Sequence, residues 1–179
     1  MKFKNLIVLL ALSFSVGACS GTLPVEYNSQ SYIKIKNKEL ALGEFSYIAF
    51  DEGKVKSNQI SNTAIGSIFI GEDVALYFKR ATAIELGNAG VVINNEDDLE
   101  LSGNVIQFEA DDLGYSVDWT FKVHYLLQNK SKEETLIDKR YSAKERKTGK
   151  FGLPSDFSSV VNLLMVDVIE QLMRDINNL

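Results

Sequence analysis

From Tyr115 to Leu127 the sequence alternates without interruption. Tyr115, Val117, Trp119, Phe121, Val123, Tyr125 and Leu127 fall on one side, and Ser116, Asp118, Thr120, Lys122 and His124 on the other. A period of two sustained over this length does not fit the 3.6-residue turn of a helix and specifies a strand with one apolar and one polar face. A strand of that kind belongs to a sheet, mainly antiparallel, that is covered on a single side. An acidic turn at Ala110 to Gly114 leads into it. A polar turn at Gln128 to Glu134 leads out of it, to Thr135 through Tyr141 as its hairpin partner.

Two segments can supply the cover. Over Glu72 to Ala89 the apolar residues Val74, Tyr77, Phe78, Ala81 and Ile84 recur at helical spacing, Glu72 and Asp73 fall in the first turn, and Gly90 stands where a helix stops. A longer helix runs to about Asn177, with Ser155 or Asp156 as its cap and the breakers Gly152 and Pro154 ahead of it. Phe157, Val161, Leu164, Val168, Leu172 and Ile176 line one face of this helix. Val160, Leu163, Met165, Val166, Ile169 and Met173 widen the apolar surface well beyond a stripe. Either the helix is central and buried by sheet and neighbouring helix, or its surplus face, with Val160, Leu163 and Val166, meets an envelope protein or a second copy. Asn162, Asp167, Glu170 and Gln171 interrupt the run too often for a membrane span.

Strands are further expected at Ser31 to Lys36, Glu44 to Phe50, Ile65 to Ile70, Val91 to Ile93 and Leu99 to Glu109, with an exposed loop from Asp51 to Asn62. The pattern specifies an α/β domain of the α+β type over residues 31–179. It has two layers, a mainly antiparallel sheet packed by two helices.

The N-terminus has a different character. Lys2 and Lys4 precede an apolar run from Leu6 to Val16, which is short of the roughly 20 residues that cross a bilayer and matches the core of a secretory signal. It ends in Val16, Gly17, Ala18 and Cys19. This resembles the lipobox of bacterial lipoproteins, with Val16 where Leu is commonest and Gly17 where Ala or Ser is commonest. The resemblance implies a signal peptide over residues 1–18, cleavage before Cys19, and covalent diacylglycerol and N-acyl lipid on that Cys as the only attached group. Ser20, in place of the Asp that retains such proteins at the inner membrane, implies release to the periplasmic face of the outer membrane. Residues 19–30, small and polar without periodicity, read as a lipidated tether. Processing would remove 18 of the 179 residues and two lysines, leaving 161 residues with 17 basic against 24 acidic side chains, a balance of -7 rather than -5. An anionic body of this kind carries no electrostatic footprint for nucleic acid.

Little else in the chain marks chemistry. One Cys and one His exclude an intrachain disulfide and a closed Cys/His zinc site. His124 shares a strand face with Lys122 and Asp118, but Ser116 lacks the glycine-flanked elbow of a catalytic serine. The acidic groups Glu96, Asp97, Asp98 and Glu109, Asp111, Asp112 lack the ligand spacing of a calcium loop and read as solvated turns. No phosphate-binding glycine fingerprint occurs. No catalytic or metal-ligating residue is therefore assigned. Lys144, Arg146, Lys147 and Lys150 form a basic loop that could meet anionic headgroups or an acidic partner.

The later part of the chain has a recognisable layout. It runs Gly114, Tyr115, Ser116, Val117, Asp118, then the alternating strand, then Lys139, Arg140, Tyr141, Ser142 and a turn ending Gly149, Lys150, Phe151. The ending with Val161, Asn162, Asp167, Arg174 and Asp175, and the pair Ile65, Gly66 followed by a helix and Gly90, complete it. This resembles the YajG-type family of small bacterial lipoproteins. The resemblance implies a lipid-anchored envelope protein with a two-layer α/β body and no catalytic residues. The expected role is a non-enzymatic interaction or accessory module. The alternatives are a lipid- or glycan-binding component of an envelope transport system and, last, a hydrolase using His124.

Overall fold

The computed structural model describes residues 21–63, 66–149 and 154–179. The expected signal segment, Cys19, Ile65, Lys150 and Phe151 lie outside the described residues. The elements in chain order are β1 (Gly21–Leu23), β2 (Glu39–Tyr47), α1 (Ile48–Asp51), β3 (Gln59–Asn62), β4 (Ile68–Ile70) and α2 (Val74–Ala89). Then follow β5 (Val92–Ile93), β6 (Leu99–Asp112), β7 (Ser116–Asn129), β8 (Glu134–Ser142), β9 (Arg146–Gly149) and α3 (Pro154–Asn177).

The alternating segment is β7, and it pairs antiparallel with β6 from Asp112↔Val117 to Leu99↔Asn129. Val117, Trp119, Phe121, Val123, Tyr125 and Leu127 are buried, as the period of two requires, while Ser116, Asp118, Thr120 and His124 are half-buried on the opposite face. Tyr115 belongs to the turn instead. In β6 the parity breaks once: the pairing shifts between Val105 and Gln107, so Ile106 is an extra residue. This bulge keeps Leu101 and Val105 on the same buried face as Phe108 and Ala110.

The pairing is mainly antiparallel, as expected, but the sheet is not purely so: beyond the hairpin it is mixed. β7 takes β8 and β9 antiparallel on its outer edge, whereas β2 and β3 both run parallel to β6, β5 parallel to β2, and β1 parallel to β4. Parallel neighbours need a long crossover, and α2 lies in the segment that carries the chain from β2 and β3 to β6. Both long helices pack on the buried face, α2 over β2, β5 and β6, α3 over β7, β8 and β9, and they touch each other. Phe78 of α2 sits at the centre of the core, with ring centroids 5.6 Å from Phe45, 5.5 Å from Phe121 and 5.3 Å from Tyr125.

Several expected elements differ. Ser31 to Lys36 forms no strand; Ile35 is buried there because its N–H donates to Ala89 O, 2.8 Å away, at the end of α2. The aromatic segment after Glu44 is split, β2 ending at Tyr47 and a single helical turn following. The expected loop Asp51 to Asn62 ends in β3, where Ile60 is fully buried. Glu72 and Asp73 precede the first turn of α2, and Ser155 and Asp156 fall inside the first turn of α3. Gly90 does end α2, at φ 98° in the left-handed region that favours glycine. Among the described residues no helix is long and apolar enough to cross a membrane.

Near its C-terminus α3 is tied to β8 by Asp175, which accepts from Lys139 Nζ at 2.8 Å and Tyr141 Oη at 2.7 Å. Burial pushes this carboxyl up, but the bonds from Lys139 and Tyr141 outweigh it and hold its pKa below the ordinary value. A carboxylate with a lowered folded-state pKa adds stability above its unfolded pKa, which is lost as pH falls through the folded one. Two outcomes follow. Phe78→Ala should lower the unfolding free energy by about 3–5 kcal/mol in urea titration. Asp175→Asn should destabilise the protein at pH 7 by about 1–3 kcal/mol, and the difference from wild type should vanish at acid pH.

Candidate functional site

The segment expected as a tether is part of the body from Gly21 onward. Leu23 in β1 and Tyr27 beyond it are buried, and the chain then crosses both helices as a strap. Two buried polar side chains hold it. Glu85, 1% exposed on α2, accepts from Tyr27 Oη at 2.6 Å, Ser29 Oγ at 2.9 Å and Gln30 N at 3.2 Å. Asn162 on α3 reads both backbone groups of Asn28: its Oδ1 accepts from Asn28 N and its Nδ2 donates to Asn28 O, each at 2.9 Å. Burial, and then the bond to Glu85, push the Tyr27 hydroxyl far above its ordinary pKa, so it stays a donor. A buried carboxylate is tolerated because its oxygens are saturated with hydrogen bonds.

The register of the short strands fixes where this strap enters. Gly21 lies beside Ile68, Ile68 beside Ile60, and the next residue, Ser61, beside Glu109. The chain therefore joins the sheet at the end where β6 turns into β7. β9 finishes at the same end, with Gly149 beside Ser116. A groove of about 900 Å³ opens between the strap and the first turns of α3, lined among others by Leu23, Pro24, Val25, Ser158, Ser159 and Leu163.

The residues singled out in the sequence are not brought together. The basic loop contains β9, and two of its cations are engaged within the domain. Arg146 pairs with Asp167 and Lys147 with Asp118, at 2.8 and 2.7 Å. Lys144 is exposed, and its backbone N–H donates to Asp167 Oδ2 at 3.2 Å. On α3, Val166 is only 6% exposed and belongs to the core, while Val160 and Leu163 are half-buried. The wide apolar surface of α3 is thus largely internal: sheet, α2 and strap all pack on it, and only Leu163 lines the groove.

His124 bonds Asp138 of β8 (Nε2 to Oδ1, 2.5 Å), not Asp118. Asp118 lies six residues along the same strand, about 20 Å away, and Ser116 about 27 Å away, so His124 and Ser116 form no hydrolytic pair. Of the acidic residues expected in turns, Glu109, Asp111 and Asp112 lie in β6 instead; Asp97 accepts from Leu99 N, Glu109 from Gln107 Nε2 and Asp111 from Thr63 Oγ1. No group of three His, Cys, Asp or Glu placed to hold a metal occurs among the described residues.

Glu85 and Asn162 escaped the sequence reading, although a signal for Glu85 exists. The buried positions of α2 are 74, 77, 78, 81, 82, 85, 86 and 89, so Thr82 and Glu85 fall on the apolar face, where a carboxylate needs a partner. Leu23, Val25 and Tyr27 are also spaced by two.

No family model matches the sequence, and no curated protein matches it. Solved structures do share the fold. A Xanthomonas campestris protein described under DUF330 superposes with a TM-score of 0.67 at 10% identity, covering 89% of this chain and 98% of its own. A hypothetical protein from Chlamydia trachomatis gives 0.53 at 5% identity, covering 79% and 96%. A minor lipoprotein from Acinetobacter baumannii gives 0.47 at 12% identity, covering 79% and 93%. The first two establish a shared fold, and none of the three descriptions names the YajG-type family.

The strap geometry has a measurable consequence. Glu85→Ala removes the acceptor shared by Tyr27, Ser29 and Gln30, and Asn162→Ala removes both bonds to Asn28. In either variant hydrogen exchange should accelerate over residues 23–35 by tenfold or more, corresponding to about 1.4 kcal/mol. Exchange in the β6–β7 hairpin should stay as in wild type. Glu85→Gln, which keeps one acceptor oxygen, should fall between the two.

Proposed function

We propose that this protein is a lipid-anchored, non-enzymatic interaction or accessory module of the bacterial cell envelope. It is held by diacylglycerol and an N-acyl chain on Cys19 at the periplasmic face of the outer membrane. The observation that carries the reading is the strap. Gly21, two residues after the lipobox Cys, already pairs in the sheet, so an anchor at Cys19 leaves the body no more than about 7 Å of free chain. Multiple acyl chains on one Cys give durable attachment, since each buried methylene adds about 0.8 kcal/mol. The anionic body offers no comparable attraction. A membrane-hugging domain with Arg146 and Lys147 of its basic loop internally paired fits a scaffold that presents a surface to an envelope protein or a second copy. The YajG-type resemblance agrees with that role.

The groove beside the strap favours a second reading, an accessory component of an envelope transport system that binds a lipid or glycan. Native mass spectrometry of protein extracted from membranes separates the two. A co-purifying ligand lost on Leu163→Trp, which fills the groove, supports the second reading, and empty spectra support the first.

Anchoring is tested in cells by metabolic labelling with palmitate. Wild type should incorporate label and fractionate with membranes, and Cys19→Ala should do neither. Label retained in Cys19→Ala would contradict the proposal.

A further inference from the structure

We propose that the tip of the β6–β7 hairpin, Leu113, Gly114 and Tyr115, is a second membrane contact that dips into the bilayer holding Cys19. The inference rests on the anchoring reading and goes beyond it. Tyr115 is 81% exposed and Leu113 44% exposed, two large apolar side chains side by side at the end of the longest hairpin. The opposite end of the sheet differs: the β7–β8 turn carries Lys130, Ser131, Lys132 and Glu133. The β6–β7 hairpin is therefore tipped with an aliphatic and an aromatic residue, and the β7–β8 hairpin with charge.

The apolar tip is also held rigid. Leu113 N donates to Ser116 O at 2.9 Å, and Gly114 N to Asp112 Oδ1 at 2.7 Å. Gly114 takes φ 91°, a backbone conformation that costs other residues steric strain. The two side chains are thus presented outward instead of collapsing onto the body.

Register places this tip on the side of the anchor. Gly21 is level with Ile60, one residue short of the position beside Glu109. Leu113 therefore lies about five residues, roughly 17 Å, further along the strand direction. Cys19 can reach at most about 7 Å that way from Gly21. With this end of the sheet facing the membrane, the tip meets the bilayer ahead of Cys19, and a shallow insertion puts Leu113 and Tyr115 at the acyl boundary while Asp111 and Asp112 stay among the headgroups. Tyrosine suits that depth, its ring in the apolar boundary and its hydroxyl among headgroups. Asp111 and Asp112 behind the tip offer no attraction to anionic lipid, so the contact is apolar and salt does not release it.

The test uses the mature, lipidated protein in vesicles of phosphatidylethanolamine and phosphatidylglycerol. Cys19 is the single native Cys and is acylated, so a polarity-sensitive fluorophore on Leu113→Cys reports that position alone, with Lys132→Cys as control. In vesicle-bound protein the label at 113 should shift to the blue, be quenched by lipid brominated near the headgroup, and respond equally at low and high salt. The label at 132 should stay water-like, and Tyr115→Cys should repeat the result at 113. A floated protein whose labels at 113 and 115 read as water overturns the membrane contact alone. A shift that appears only with added envelope protein assigns the tip to a protein partner and also overturns it. Protein that fails to float overturns the anchoring reading, and the tip contact with it.

Discussion

The pairing of β6 with β7 constrains everything else. Each strand is long, their ladder is continuous but for the bulge at Ile106, and one face of each is apolar. Because that face must be removed from water, α2 and α3 are obliged to lie on the same side, and the opposite side stays wet. Small adjustments serve this single surface. The bulge restores the parity of β6, and Gly103 has no side chain because a Cβ there would come within 2.8 Å of Cε1 of Phe45, whose ring packs on Phe78. The edges of the hairpin then accept short strands of either direction, which makes the sheet mixed. The breadth of the α3 apolar surface follows from the same geometry, since it packs on sheet, α2 and strap at once.

The strap is the second consequence. A buried carboxylate left unpaired costs several kcal/mol, and Glu85 is relieved only when Tyr27, Ser29 and Gln30 lie in one arrangement over α2. Asn162 imposes the same demand from α3. Docking is thus specific in register as well as favourable in energy. The stretch from Gly21 to Gln30 is therefore a fixed part of the body and not a flexible leash.

Legibility in the sequence tracks how much each element depends on its own side chains. β7, β8, α2 and α3 declare themselves because their apolar residues follow one period over many residues. The bond between strap and helices is invisible to periodicity, since it joins Tyr27 to Glu85 and Asn28 to Asn162 across long sequence separations. β1, β3 and β9 are three or four residues each, polar in composition, and paired through backbone groups that any residue offers. The parallel neighbours of β6 are hidden for a related reason: the period of a strand shows that it is half-buried but not the direction of its neighbour. The basic residues Arg146 and Lys147 looked available because the carboxylates that pair them, Asp167 and Asp118, come from α3 and β7.

With Cys19 as the proposed anchor, the body would sit directly on the membrane, because Gly21 already pairs in the sheet. Neutron reflectometry of the mature lipidated protein on a supported bilayer measures this most directly. Protein density should begin within the headgroup layer, with no resolved water layer beneath it. Inserting ten flexible residues between Ser20 and Gly21 should open a gap of up to about 30 Å. A wild-type profile that already shows such a gap would rule out direct seating of the body on the membrane.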